Sequence, residues 1–83
     1  MGSKPIMNYV VACLTLFNEG IETVQIRARG KHINKAVDTV ELLRRVFLTD
    51  LKVVNANTGT DLLTRTDGNQ AYVSTIEIII APN

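Results

Sequence analysis

Residues 21–48, IETVQIRARGKHINKAVDTVELLRRVFL, change their apolar period halfway along. Before Gly30, Val24, Ile26 and Ala28 alternate with Thr23, Gln25, Arg27 and Arg29, the two-residue repeat of a strand with one buried face. After it, Ile33, Ala36, Val37, Val40, Leu43 and Phe47 recur at three- and four-residue spacing, which predicts a helix over residues 31–48 with those side chains as its core stripe. Lys31, Lys35, Asp38, Leu42 and Arg45 fall on the opposite face, where Leu42 breaks the polar row and Val46 lies beside it. Glycine at the junction ends the strand and frees the chain to turn.

Upstream, KPIMNYVVACLTLFNEG predicts a helix from Pro5 to Glu19, with Pro5 in its first turn and Gly20 as its C-terminal cap. Met7, Val10, Leu14 and Phe17 share one face, and Ile6, Val11, Cys13 and Leu16 widen it, so this helix is expected to be largely buried. Downstream, LKVVNA (51–56) and YVSTIEIIIA (72–81) predict two strands, with Ile76, Ile78 and Ile80 on one face of the second. Between them, Asp67-Gly68 is a strong hairpin signal. The flanking residues run well past a compact body, which predicts a two-stranded arm with Arg65 near its tip. The order is helix, strand, helix, strand, hairpin, strand: one domain over residues 1–83. A strand before the first helix would complete βαβαββ, but only Met1, Gly2 and Ser3 precede Lys4, so that strand is expected to be short or missing.

Composition narrows the function classes. A chain of 83 residues buries roughly 60% of the surface it exposes when unfolded. Its 46% hydrophobic content exceeds what so small a body needs, which predicts burial against a partner chain. No apolar run reaches the ~18 residues of a membrane span, and no signal-peptide layout opens the chain. The single Cys13 excludes an internal disulfide and fits a reducing cytoplasm. One histidine and one cysteine leave little material for a catalytic triad or a metal site, and no phosphate-loop motif occurs. Neither an enzyme nor a cofactor is expected. Cys13 reads as a small core hydrophobe; His32 reads as a solvent-facing residue or, alternatively, a phosphate contact. Asp38 and Glu41, flanked by Lys35 and Arg45, read as helix-surface ion pairing.

The charge balance is only +1, yet four of the nine Lys and Arg fall between Arg27 and Lys35. Strand and helix rise place them within about 15 Å, the scale of several consecutive phosphates. The start of the second helix adds free N–H groups and the positive end of a dipole. On these residues alone, a solvated basic surface and a phosphate-binding floor both remain open.

SKPIMNYV, FNEG, RARGKHINKAVDTVELLRR and VSTIEI, in this order and spacing, closely resemble the Alba family of small archaeal chromatin proteins. The likeness covers nearly the whole chain. It implies an α+β fold, a two-layer α/β sandwich of βαβαββ order similar to the C-terminal domain of translation initiation factor 3, with a long hairpin between the last two strands. It further implies a homodimer that binds double-stranded DNA and RNA with little sequence preference, on the chromosome in the cytoplasm. Carried over by position, the nucleic-acid contacts would be Lys4, Asn8, Tyr9, Arg27, Arg29, Lys31 and Lys35 on the body and Arg65 on the arm. Leu42, Val46 and Phe47 would serve dimer or dimer–dimer contacts.

Departures from the family pattern lean one way. Ser3 and Asn69 stand where cations are common, Val46 replaces a basic residue, and Thr49 replaces a proline. They predict weaker nucleic-acid binding than in typical relatives. The alternative they leave is an Alba-fold dimer or oligomer that has largely lost that binding.

Overall fold

The computed structural model describes residues 3–82. Helix α1 spans Ile6–Asn18, strand β1 Val24–Arg29, helix α2 Ile33–Leu42, strand β2 Lys52–Thr64 and strand β3 Gln70–Ala81. A 3-10 turn, Gly30–His32, leads into α2, and a π turn, Leu43–Phe47, ends it. The three strands form one antiparallel sheet in the order β1-β3-β2. Two helices on one face of an antiparallel sheet make the expected two-layer α+β fold. Among the described residues no strand precedes α1; Met1 and Gly2 lie outside them.

The strand alternation holds as read. Val24, Ile26 and Ala28 are buried while Gln25, Arg27 and Arg29 are exposed. Their register partners on β3 are Ile80, Ile78 and Ile76, so one sheet face carries the core and the helices cover it. Val10 and Cys13 from α1, Ala36, Val40 and Leu43 from the second helical segment, and Leu51 close that core. Gly20 caps α1 with a positive φ of 92°. The Gly20 N–H donates to the Phe17 carbonyl, and the Ile21 N–H donates to that of Leu16 at 3.2 Å, the paired bonds of a Schellman ending.

Four expectations are corrected. Helix α1 is not largely buried: only Val10 and Cys13 are, while Met7, Val11 and Leu16 are exposed, because a single sheet face has room for only one stripe of a short helix. On α2 the core stripe is rotated by one position. Val37 is exposed, and Thr39 is fully buried in its stead, its hydroxyl donating to the Lys35 carbonyl at 2.7 Å. Periodicity could not promote Thr39, because a threonine counts as polar until an i−4 carbonyl satisfies its hydroxyl. Leu42, expected on the charged face, packs against the core in part. Phe47, expected in the core stripe, is 43% exposed. The π turn explains this: the Leu48 N–H donates to Leu43, five residues back, so each residue advances less around the axis and Phe47 swings off the core side.

Strand β2 runs eight residues past the predicted LKVVNA. A bulge between Val53 and Asn55 leaves Val54 without a register partner. Beyond Thr75, the partner of the last β1 residue Arg29, β2 and β3 continue alone to the Thr64–Gln70 pair. That two-stranded arm gives the molecule its elongated shape, 45 × 23 × 21 Å.

Candidate nucleic-acid interface

The pleat of β1 places Arg27 and Arg29 on the outer sheet face, away from the helices. Glu77 is the register partner of Arg27, and the Arg27 Nε lies 3.8 Å from a Glu77 carboxylate oxygen. The arm's Asp61 sits 3.9 Å from an Arg29 guanidinium nitrogen. Both arginines are mostly exposed, with side-chain exposures of 75% and 58%. Long, solvent-screened pairs of this kind contribute about 0–1 kcal/mol, so an arriving phosphate competes for the guanidinium groups on easy terms. Together with Asn57 and Gly59, these four side chains line a shallow concavity of about 460 Å³.

Gly30 turns the chain from that face to the helices. Its φ is +58°, and a Cβ there would lie 3.3 Å from a Val73 methyl. A side chain would therefore be strained by backbone and by contact alike. The turn brings Lys31 and His32 to the start of α2, and the Lys35 ammonium donates to the Lys4 carbonyl at 3.2 Å. The N-terminal ends of α1 and α2 are thereby tied together. Neither helix has an acidic residue in its first turn or a side-chain cap. Lys4 and Lys31 take part in no ion pair among the described residues. The Gly30 and Pro5 carbonyls accept from the Ile33 and Asn8 N–H groups, but no side chain caps either helix start, so two positive dipole ends and lysines form a surface that favours an oxyanion. His32 belongs to it: burial, then the charges of Lys35 and Lys31, hold its imidazole below the usual pKa.

The basic cluster thus occupies two adjoining surfaces that meet at Gly30. Asn8 is exposed on α1 near the lysine surface, whereas the half-buried Tyr9 lines a groove with Cys13, Leu16, Ile26 and Arg27. Arg65 is exposed in the turn of the arm, where its N–H donates to the Asn69 carbonyl at 2.7 Å. Asn69 in turn is held by the Asp67 carboxylate, which accepts from its backbone N–H at 2.9 Å. Val46 and Phe47 are exposed at the end of α2, at 61% and 43%, while Leu42 is half-buried. Glu41 pairs with Arg45, as read from the sequence, and also with Arg44, which the sequence reading did not include. Cys13 is buried, which pushes its thiol pKa up and fits a core role. Glu77 and Asp61 were missed as partners of the arginines. The signal lay in strand register, which a single strand does not reveal.

The Alba family profile matches residues 1–61 of the chain. The chain belongs to the Alba family. It is 46% identical over 80 residues to a protein of Methanocella arvoryzae named DNA/RNA-binding protein Alba, covering 96% of this chain and 83% of the relative. Alba from Thermoplasma volcanium superposes with a TM-score of 0.91 at 42% identity, over 98% of this chain and 94% of that one. ALBA1 from Trypanosoma brucei superposes with a TM-score of 0.77 at 25% identity, over 93% of this chain and 68% of that one. The Alba fold therefore rests on sequence and structure alike, and nucleic-acid binding enters through the name of the Methanocella relative. Among the described residues, no helix is long and apolar enough to cross a membrane, and no His, Cys, Asp and Glu side chains gather as a metal site.

Proposed function

We propose that this Alba-family chain is a small dimeric chromatin protein that binds double-stranded DNA and RNA without sequence preference. The observation that carries the proposal is the uncapped, carboxylate-free meeting of two helix N-termini with Lys4, Lys31 and Lys35. Arg27 and Arg29 extend this floor onto the outer sheet face, and Arg65 reaches beyond it on the arm. Contacts of this kind read phosphates and leave the base sequence unread. Asn8 and Tyr9 flank the floor from α1.

Affinity is set below that of typical relatives. Ser3 and Asn69 supply no cation, and Glu77 and Asp61 place carboxylates beside the two arginines. The dimer is supported by exposed apolar side chains, Val37, Val46, Phe47 and Val54 among them, on a chain too small to leave them all in water at no cost. Binding of chromosomal DNA by such a dimer makes the protein chromosome-associated.

The test is a duplex titration with the wild type and Arg29→Glu. The variant should keep its fold and lose binding by about tenfold or more, since it removes a phosphate contact and adds repulsion. Unchanged binding would place the floor elsewhere. A second reading, an assembly protein that has shed nucleic-acid binding, is favoured by the exposed Val46 and Phe47. It predicts no duplex binding even at low salt, with intact self-association.

A further inference from the structure

Tyr72 is the most exposed of the large hydrophobic side chains, at 80%, and its cross-strand partner Leu62 is 49% exposed. Both stand on the arm, past the end of β1. By the pleat, Gln70, Tyr72 and Ser74 share a face with Ile76, Ile78 and Ile80, the face that the helices cover lower down. On the arm nothing covers it. Thr60, Leu62 and Thr64 complete the strip from β2.

The chemistry of this strip is specific. It has hydroxyl and amide groups around one aromatic ring and one aliphatic side chain, and it has no carboxylate. The arm's acids lie elsewhere: Asp61 points to the other face, toward Arg29, and Asp67 is engaged in the turn by Asn69. Arg65 supplies a cation at the end of the strip. A polyanion can therefore run along this face without meeting a negative charge. An apolar protein partner would find only two apolar side chains there, far short of a stable interface.

We propose that Tyr72, backed by Leu62, is a stacking platform for an unpaired nucleobase, so that the arm binds single-stranded RNA segments in addition to the duplex held by the body. The inference rests on the nucleic-acid-binding reading above and extends it to a second substrate form. A phenol ring stacks on a base face only where that face is free of its neighbours, as in single strands, bulges and ends. Thr60, Thr64, Gln70 and Ser74 are placed to hydrogen-bond the edges and sugar of the same nucleotide.

The test compares a single-stranded oligouridylate of about ten nucleotides with a paired RNA duplex of the same length, a size within the usual range for such sites. Wild type, Tyr72→Ala and Tyr72→Phe are titrated with both. Tyr72→Ala should weaken single-strand binding by about 5- to 150-fold, the range of one stacked base, and change duplex binding less than about twofold. Tyr72→Phe should keep the affinity, since its ring still stacks. With no Trp and two Tyr in the chain, tyrosine emission reports on the site: the single strand should quench the wild type markedly more than Tyr72→Phe, where only Tyr9, beside the floor, emits. Equal losses on both ligands, or none on the single strand, overturn the platform. So does a wild type that binds duplex but not the single strand. A wild type that binds neither overturns the underlying nucleic-acid reading as well. A fall in assembly mass in Tyr72→Ala with single-strand binding intact would assign the strip to contacts between copies instead.

Discussion

His32 and the two arginines show how single side chains set the behaviour of a surface. Because His32 is held below its usual pKa by burial and by Lys35 and Lys31, its neutral form is favoured in the folded chain. The unfolded chain, titrating near 6.5, then takes up protons first as pH falls. The stability linked to His32 is therefore complete above about pH 6.5 and is lost on acidification below that value. Denaturant midpoints measured near pH 7.5 and pH 5.5 should fall further in the wild type than in His32→Gln. Equal falls would remove His32 from the basic surface. Glu77→Gln, by removing the carboxylate charge beside Arg27, should tighten duplex binding by up to about fivefold, the most that an exposed pair is worth. Weaker binding in that variant would mean that Glu77 orients Arg27 for its ligand rather than competing for it.

Among the elements, β1 and its glycine matter most, since they aim the cations at two surfaces. Gly30→Ala must place a methyl 3.3 Å from Val73 at a φ of +58°. It should cost about 1–2 kcal/mol in equilibrium unfolding and disturb Lys31 along with it. A neutral outcome would show that the junction relaxes freely. The β1 alternation, the Gly20 cap and the Asp67-Gly68 arm were legible because each depends on local chemistry: a two-residue repeat, a left-handed glycine, a turn dipeptide. The rotated stripe of α2 was not. It depends on Thr39 satisfying its hydroxyl inside the helix and on the π turn at Leu43, and neither leaves a mark in apolar spacing. The candidate floor was legible as a cluster of charges, but its division at Gly30 required the direction of each side chain. The carboxylates opposing the arginines required the register of β1 and β2 against β3.

The whole molecule is a small core with a long arm and more apolar surface than one chain can hide. Val40, 4% exposed, is part of that core, and Val40→Ala should destabilise the fold by about 1–3 kcal/mol. Phe47→Ala should leave unfolding of the protomer nearly unchanged and reduce the largest assembly, read as solution mass against a chain of 9.2 kDa. If the largest assembly persists, the exposed helix end around Phe47 is not an interface. The most direct measurement is a titration of a plain DNA duplex over a series of salt concentrations. Phosphate contacts release counterions, so log affinity should fall linearly with log salt, with a slope of about 0.9 per phosphate engaged and a total slope of roughly four or more for a dimer. A slope near zero, or no binding at low salt, would contradict a phosphate floor built from Lys4, Arg27, Arg29, Lys31 and Lys35.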